Sequence, residues 1–536
     1  MQRNIEVNGS DKFAKSCKTL LVFFCSLMLM FFLVTEGGQR ILNAIISSNN
    51  IPLVILFLIF VLGPSSTFFT LKQEQSRDII LLYTNFAVVI LVSLMYPLAS
   101  SEGLYLELSN ILGFGLAFRV EMLTFYMLMA ASLLWLLVTV FSHSYLIKKE
   151  QHRSRFYLWF MITYGGVMGA IMADSLITMF LFFEIMYISC YFLVAHNSSK
   201  TAIKAGNRYI YMGVIGGLSM LLAICVLYVY TGTFNLHELS TAIDMSSSGA
   251  GNVLFLALVF MLLGFAIKAA VFPLHFWLPD AHSSAPSPAS AVLSGMVIKV
   301  YIFSLIKFLY IGLGLDLINV LKVSDYLPLI AAVGMIGGSL FALRQTDIKR
   351  MLAYSTVAQV GYMVLGLGLA TSLGVKASMF HISTHLLMKA ALFLSAGAVM
   401  YQTGRRDIEG FKGIGYKMPI TMGVFTIGAL SMIGIPGVNG FMSKWYLSIA
   451  AIEAGRSVFV FVILLSSFLN AMYYLPIIIS AYLKRKNDED EHEDMEWDRL
   501  PNTMTVPLII LGTGCIILGV FPQILMNIFD QAVNFF

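Results

Sequence analysis

The chain has 536 residues, 58% of them hydrophobic and only 12% charged, where a soluble globular domain carries about 25% charged residues. That balance excludes a soluble globular protein, and the net charge of +5 is informative through the placement of Lys and Arg rather than their sum, so it does not suggest nucleic acid. Apolar runs of about 20 residues, rather than alternating segments of about ten, exclude a β-barrel and predict an all-α polytopic membrane protein.

The first apolar run, Cys17 to Val34, follows Lys12, Lys15 and Lys18, the basic-then-hydrophobic order of a signal peptide. No small-residue cleavage site follows in TEGGQR, which favours an extra N-terminal helix over a cleaved leader. Fourteen core spans are expected near residues 51–69, 79–98, 122–143, 157–173, 176–195, 209–230, 252–279, 288–311, 327–343, 350–370, 376–400, 418–447, 458–482 and 505–525. Residues 1–50 then form the extra helix and a linker, and 51–156 the first three core helices. Two five-helix units follow at 157–311 and 327–482, then a charged loop at 483–504 and a last helix and tail at 505–536. The loop segment KRKNDEDEHEDMEWDR, Lys484 to Arg499, reads as a solvated connector.

With the N-terminus cytoplasmic, 24 Lys and Arg fall in cytoplasmic connections and 5 on the opposite side. This alternation supports the span list and places the C-terminus outside. Five basic residues are left within spans: Lys268, Lys299, Lys307, Lys389 and Lys444. Lys307 lies near the outer end of its span, from which its ammonium is expected to snorkel to the interface. For the other four, a charge at the bilayer centre costs about 2.5 to 3.5 kcal/mol, which makes each a functional candidate.

An odd number of spans per unit inverts the second unit relative to the first. The fourth span of each is interrupted, by Pro273 after Lys268 and by GIPGVNG before Lys444. Matching breaks in two inverted halves point to an ion path near the midplane. Glu184, in LFFEIMYIS, is the one carboxylate expected at membrane depth. It can tune a lysine's protonation as a proton passes, or form a static pair with Lys268 that staples helices.

His381, His385 and Lys389 follow an i, i+4, i+8 spacing in FHISTHLLMKA and share one helix face. HExxH is absent and no third ligand is evident, so a proton relay fits better than a metal. His282, Asp280 and Asp174 sit near span ends as access groups or as capping residues. The cysteines, Cys17, Cys25, Cys190, Cys225 and Cys515, are scattered without a CxxC pair, so no cofactor is expected and the chain should carry no electrons.

Four stretches, FFEI with Glu184, HFWLPDAHSSAPSPASAVLSG, STHLLMKAALFLSAGAV and IGIPGVNGFMSKW, occur in that order and closely resemble the antiporter-like membrane subunits. That superfamily is shared by respiratory complex I, Mrp-type Na+/H+ antiporters and group 4 membrane-bound hydrogenases. The resemblance covers about residues 51 to 530. It implies a fourteen-helix core with two inverted five-helix units, each with a broken helix. It also implies that Glu184, Lys268, Lys299, Lys389 with His385, and Lys444 form a central hydrophilic axis, with His381 secondary. The first fifty residues lie outside the family pattern, and no long lateral helix follows the fourteenth span. Lys444 stands where the central complex I subunit carries an acid, which favours an Mrp D-type or hydrogenase-type subunit.

The expected function is proton movement, with or without exchange for Na+, in a prokaryotic cytoplasmic membrane. The expected partners are other membrane subunits, on which the redox or gradient energy source lies. A stand-alone secondary transporter for a small anionic solute, or a structural subunit without transport, are the alternatives.

Overall fold

The computed structural model describes residues 50–69, 74–109, 114–149, 152–243, 250–483 and 500–533. The expected helix at 17–34 and the charged loop at 484–499 lie outside the described residues. Lipid offers the backbone no hydrogen-bond partners, so apolar runs of this length fold as helices, which satisfy their own amides.

Helix α1 (Ile51–Phe57) passes through a π-helical turn (Leu58–Leu62) into α2 (Gly63–Phe69), followed by α3 (Glu74–Leu94) and α4 (Tyr96–Ala99). A hairpin of β1 (Leu104–Leu108) and β2 (Leu116–Val120) precedes α5 (Met122–Lys149), α6 (Arg153–Met172), α7 (Leu176–Val194), α8 (Lys200–Thr231) and α9 (Leu236–Ala242). Next come α10 (Ala250–Lys268), α11 (Leu278–Ser284) and α12 (Ser287–Val292). A π-helical turn (Leu293–Val297) joins α12 to α13 (Ile298–Ile306), and a second π-helical stretch (Lys307–Leu313) leads to α14 (Gly314–Val320). The chain continues through α15 (Val323–Leu343), α16 (Ile348–Gly368), α17 (Ser372–Thr403), α18 (Ile414–Lys417), α19 (Pro419–Ile433) and α20 (Asn439–Glu453). It ends in α21 (Val458–Leu483), α22 (Asn502–Val520) and α23 (Gln523–Ala532).

Among the described residues, 11 helices are long and apolar enough to cross a membrane, and Ile51–Thr67 and Pro419–Ile433 are shorter apolar helices. Every residue from 285 to 310 is buried, which sets α12, α13 and the π-helical turns in the middle of the bundle with α16 and α17 around them.

The all-α expectation needs one correction. β1 and β2 pair antiparallel, from Leu104 opposite Val120 to Leu108 opposite Leu116. LYLEL has the apolar alternation of a strand, but it sits in what reads as a connection between spans. The 252–279 and 418–447 runs are both interrupted, with bounds that differ from those expected. The 252–279 run stops being helical at Lys268, and the stretch between it and the 288–311 run is largely the helix α11, Leu278–Ser284. Trp277 Nε1 donates to Ile267 O at 2.8 Å and satisfies a carbonyl at the end of α10. The 418–447 run divides into α19 and α20 around Gly434, whose φ of +92° is a left-handed value that favours glycine.

Candidate functional site

Ser175 caps α7 by accepting from Thr178 N, and the helix carries Glu184 at its middle. Lys268 is the last residue of α10 and reaches across to it, with Nζ donating to Glu184 Oε1 at 2.8 Å. The lysine side chain is fully buried, while the carboxylate is 26% exposed, so one end of the pair opens at the bundle surface. Tyr187 lies under the ammonium at 4.4 Å and Tyr301 at 5.9 Å, two rings whose faces favour a cation. Gly217 of α8 makes room for the acid: a Cβ there would stand 2.5 Å from Glu184 Oε1.

The remaining lysines are held by neutral groups. Lys299 donates to the carbonyl of Ser294, inside the π-helical turn. Lys389 donates to Leu352 O at 2.7 Å and to Ser355 Oγ at 2.5 Å, and Ser355 in turn meets Tyr474 OH at 3.0 Å. Ser294 Oγ bonds Thr356 Oγ1 at 2.9 Å, so one turn of α16 touches both lysine sites. Lys444 donates to Met432 O and Ile433 O, each at 2.8 Å, and to Ser467 Oγ at 2.9 Å. A cation thereby caps the open C-terminus of α19, where carbonyls lack helical partners.

The histidines bridge these stations. His381 and His385 stack with ring centroids 5.9 Å apart and planes 8° apart, and Tyr362 stacks on His381 at 5.3 Å while lying 5.1 Å from the Lys444 ammonium. His381 Nδ1 bonds Ser443 Oγ at 3.0 Å, one residue before Lys444. Neither ring nitrogen of buried His385 or His282 has a protein partner. Among the described residues, Glu184 and Lys268 form the one ion pair between expected relay residues, His381 and His385 stack, and no hydrogen bond links Lys299 to Lys268 or to Lys389.

Several expectations change. Lys307 does not snorkel: it is 2% exposed and donates to Ala173 O at 2.5 Å, because the end of α6 offers it unpaired carbonyls. His282, in the last turn of α11, is fully buried, with the Phe393 ring stacked on it at 5.0 Å. Asp280 pairs with Arg208 and with Arg350 Nη1, the latter at 2.6 Å. Asp174 pairs with Arg119 Nε at 2.8 Å. Burial would raise the Asp174 carboxyl, but the adjacent His237 ring, the Lys307 charge and Arg119 together hold it below its ordinary range. Arg77 and Lys349, two of the 24 cations counted in cytoplasmic connections, are buried within α3 and α16. Sequence reasoning missed the tyrosine walls and Ser355, since a tyrosine or serine in an apolar helix carries no signal of its own.

The family model for the transmembrane part of NADH:quinone oxidoreductase and Mrp antiporters matches residues 173–470. The N-type subunit of NADH-quinone oxidoreductase from Desulforudis audaxviator is 37% identical over 398 residues, covering 72% of this chain and 78% of that protein. The D-type subunit of the Na(+)/H(+) antiporter from Alkalihalophilus pseudofirmus is 29% identical over 477 residues, covering 88% and 94%. Among solved structures, a chain of the archaeal membrane-bound sulfane sulfur reductase, a respiratory membrane complex, superposes with a TM-score of 0.81 at 26% identity, covering 92% of this chain and 97% of that one. The chain belongs to the NADH:quinone oxidoreductase/Mrp antiporter transmembrane family.

Proposed function

We propose that the chain is a proton-translocating subunit of a multi-subunit membrane complex, with Glu184, Lys268, Lys299, His385, Lys389 and Lys444 as its relay and His381 in support. The observation that carries this reading is the pairing imbalance. One acid faces one buried lysine, while Lys299, Lys389 and Lys444 rest on carbonyls and hydroxyls that accept from an ammonium or an amine alike. Such lysines can gain and lose a proton without a fixed counter-charge to stop them. A proton arriving at Glu184 weakens its hold on Lys268, which frees the lysine's own proton to move on. His385, with both ring nitrogens unpartnered, stands one turn from Lys389 as a carrier.

In this reading the core has fourteen spans, with inverted units at 157–311 and 327–482 between the first helices at 51–156 and the last at 505–536. The hairpin end faces outward, the N-terminus lies in the cytoplasm of a prokaryote and the C-terminus outside. The relatives' names support partners of the Mrp, complex I or hydrogenase kind and leave H+ alone or H+ with Na+ as the cargo. Moving one charge against 100 mV requires about 2.3 kcal/mol, which such partners or a counter-ion gradient supply. Proton flux in sealed vesicles carrying the assembled complex tests the reading. Lys268→Ala should abolish flux with assembly intact, and wild-type flux from that variant would refute the relay.

A further inference from the structure

Helix α21 carries none of the expected relay residues, yet one of its faces touches the sites of two of them. Ser467, Asn470 and Tyr474 recur at three- and four-residue spacing, which puts them on one side of the helix. Ser467 Oγ accepts from Lys444, and Tyr474 OH meets the Ser355 hydroxyl that accepts from Lys389, at 3.0 Å. Asn470 stands between them. Its Nδ2 donates to Met432 O at 3.1 Å, and its Oδ1 accepts from Tyr473 OH at 2.6 Å and from Ser339 Oγ at 3.3 Å. A reversed amide would set its oxygen against a carbonyl, acceptor against acceptor, so these partners fix its orientation.

Met432 O also accepts from the Lys444 ammonium, at 2.8 Å. Its usual helical donor would come four residues on, where Pro436 has no N–H to give. Lys444 donates to three acceptors, Met432 O, Ile433 O and Ser467 Oγ. An ammonium has three N–H groups for them, whereas an amine has two. One acceptor must therefore lose its bond each time Lys444 gives up its proton, and a buried carbonyl without a donor is costly. Met432 O escapes that cost because Asn470 already holds it.

We propose that Asn470 is the positioning residue of the Lys444 site: a fixed donor on Met432 O that lets the lysine pass between ammonium and amine without stranding a buried carbonyl. Tyr473 and Ser339 keep the amide in its donating orientation. The first break has a matching device, since Trp277, whose indole does not titrate, donates to Ile267 O one residue before Lys268.

The inference rests on the relay proposed above, and the test separates the two. Thermal melting in detergent and proton flux in sealed vesicles are measured on the assembled complex. Asn470→Leu and Lys444→Met each leave Met432 O one donor, and the double variant leaves it none. The double variant should therefore lose more melting temperature than the two single losses summed, and additive losses would overturn the shared carbonyl. Asn470→Leu should lower flux by about a hundredfold and displace its pH profile, whereas a merely structural role would scale flux equally at every pH. The titratable groups beside Lys444, which this substitution leaves in place, are Tyr362 of α16, 5.1 Å from the ammonium, and His381 of α17, stacked on Tyr362. Ser466→Ala removes a bond from the same helix to Met335 O and should leave flux near wild type; an equal loss there would overturn the assignment. If Asn470→Leu does not assemble, Tyr473→Phe removes only the hydroxyl that orients the amide, and a displaced pH profile in it supports the role. Lys444→Ala reports on the relay. With flux lost in Lys444→Ala, wild-type flux and pH profile in Asn470→Leu or, failing that, in Tyr473→Phe overturn the positioning role and leave the relay standing. Wild-type flux in Lys444→Ala removes the station and this inference with it.

Discussion

At the scale of single residues, the Glu184–Lys268 pair separates stability from transport. Removing one partner leaves a buried charge uncompensated, at a cost of roughly 3 kcal/mol, whereas replacing both partners with apolar groups is often neutral. Glu184→Gln should therefore lower the melting temperature in detergent, and Glu184→Leu with Lys268→Met should restore it. Flux should be lost in both. Transport retained by the apolar double variant would show that the pair only staples α7 to α10. His196, just past the end of α7 and 2% exposed, offers a pH test outside the spans. Burial, with Arg155 and His152 nearby, pushes its imidazole down to about 4. Between the ordinary value near 6.5 and that lowered value, the unfolded chain binds a proton that the folded chain refuses. Stability is complete above about pH 6.5 and falls toward pH 4 by roughly 3 kcal/mol. Melting curves of His196→Gln across that window should lose this share of the acid sensitivity.

At the scale of elements, the two broken helices are held open by different means. Trp277 satisfies a freed carbonyl at the first break, while Lys444 satisfies two at the second. Gly440 lets α20 return past α19 so closely that a Cβ would stand 1.7 Å from Ser431 O, a backbone atom that cannot give way cheaply. Gly440→Ala should cost about 3 kcal/mol and drop flux, because it drives apart the half-helices that position Lys444. An alanine variant with wild-type melting and flux would show that this approach is dispensable. Both breaks were legible in the sequence, through Pro273 and through the glycines around Pro436, as was the burial of Lys268, Lys299, Lys389 and Lys444. Their partners were not: Ser355, Ser467 and the Ser294 carbonyl become lysine acceptors only once α16, α21 and the π-helical turn are packed. Lys307 was misplaced for a related reason. Periodicity locates a residue along its helix but cannot show that the end of another helix, α6, lies across from it with its carbonyls free.

For the molecule as a whole, the proposed relay would pass from the part of the chain before residue 311 to the part after 327, which requires the two parts to stay in register. Three cations of the later part grip α11, directly after the first break. Arg350 Nη1 bonds Asp280 at 2.6 Å, Arg406 Nη2 donates to Ser283 O at 2.9 Å and Lys349 donates to Ala285 O at 2.5 Å. These contacts differ in burial: the Arg406 side chain is 45% exposed, whereas Lys349 is 2% exposed. Water can replace the arginine's bond, so Arg406→Gln should change stability by no more than about 0.5 kcal/mol. Nothing replaces the lysine's, and Lys349→Met leaves a buried carbonyl without its donor, at a cost of about 1 to 3 kcal/mol. If the clamp holds the two parts in register, Lys349→Met should also lower flux although every relay residue is intact, while Arg406→Gln should not. Thermal melting and vesicle flux, measured on the same preparations, check both points. A larger loss from Arg406→Gln than from Lys349→Met would show that exposed charge, and not the buried contact, joins the two parts.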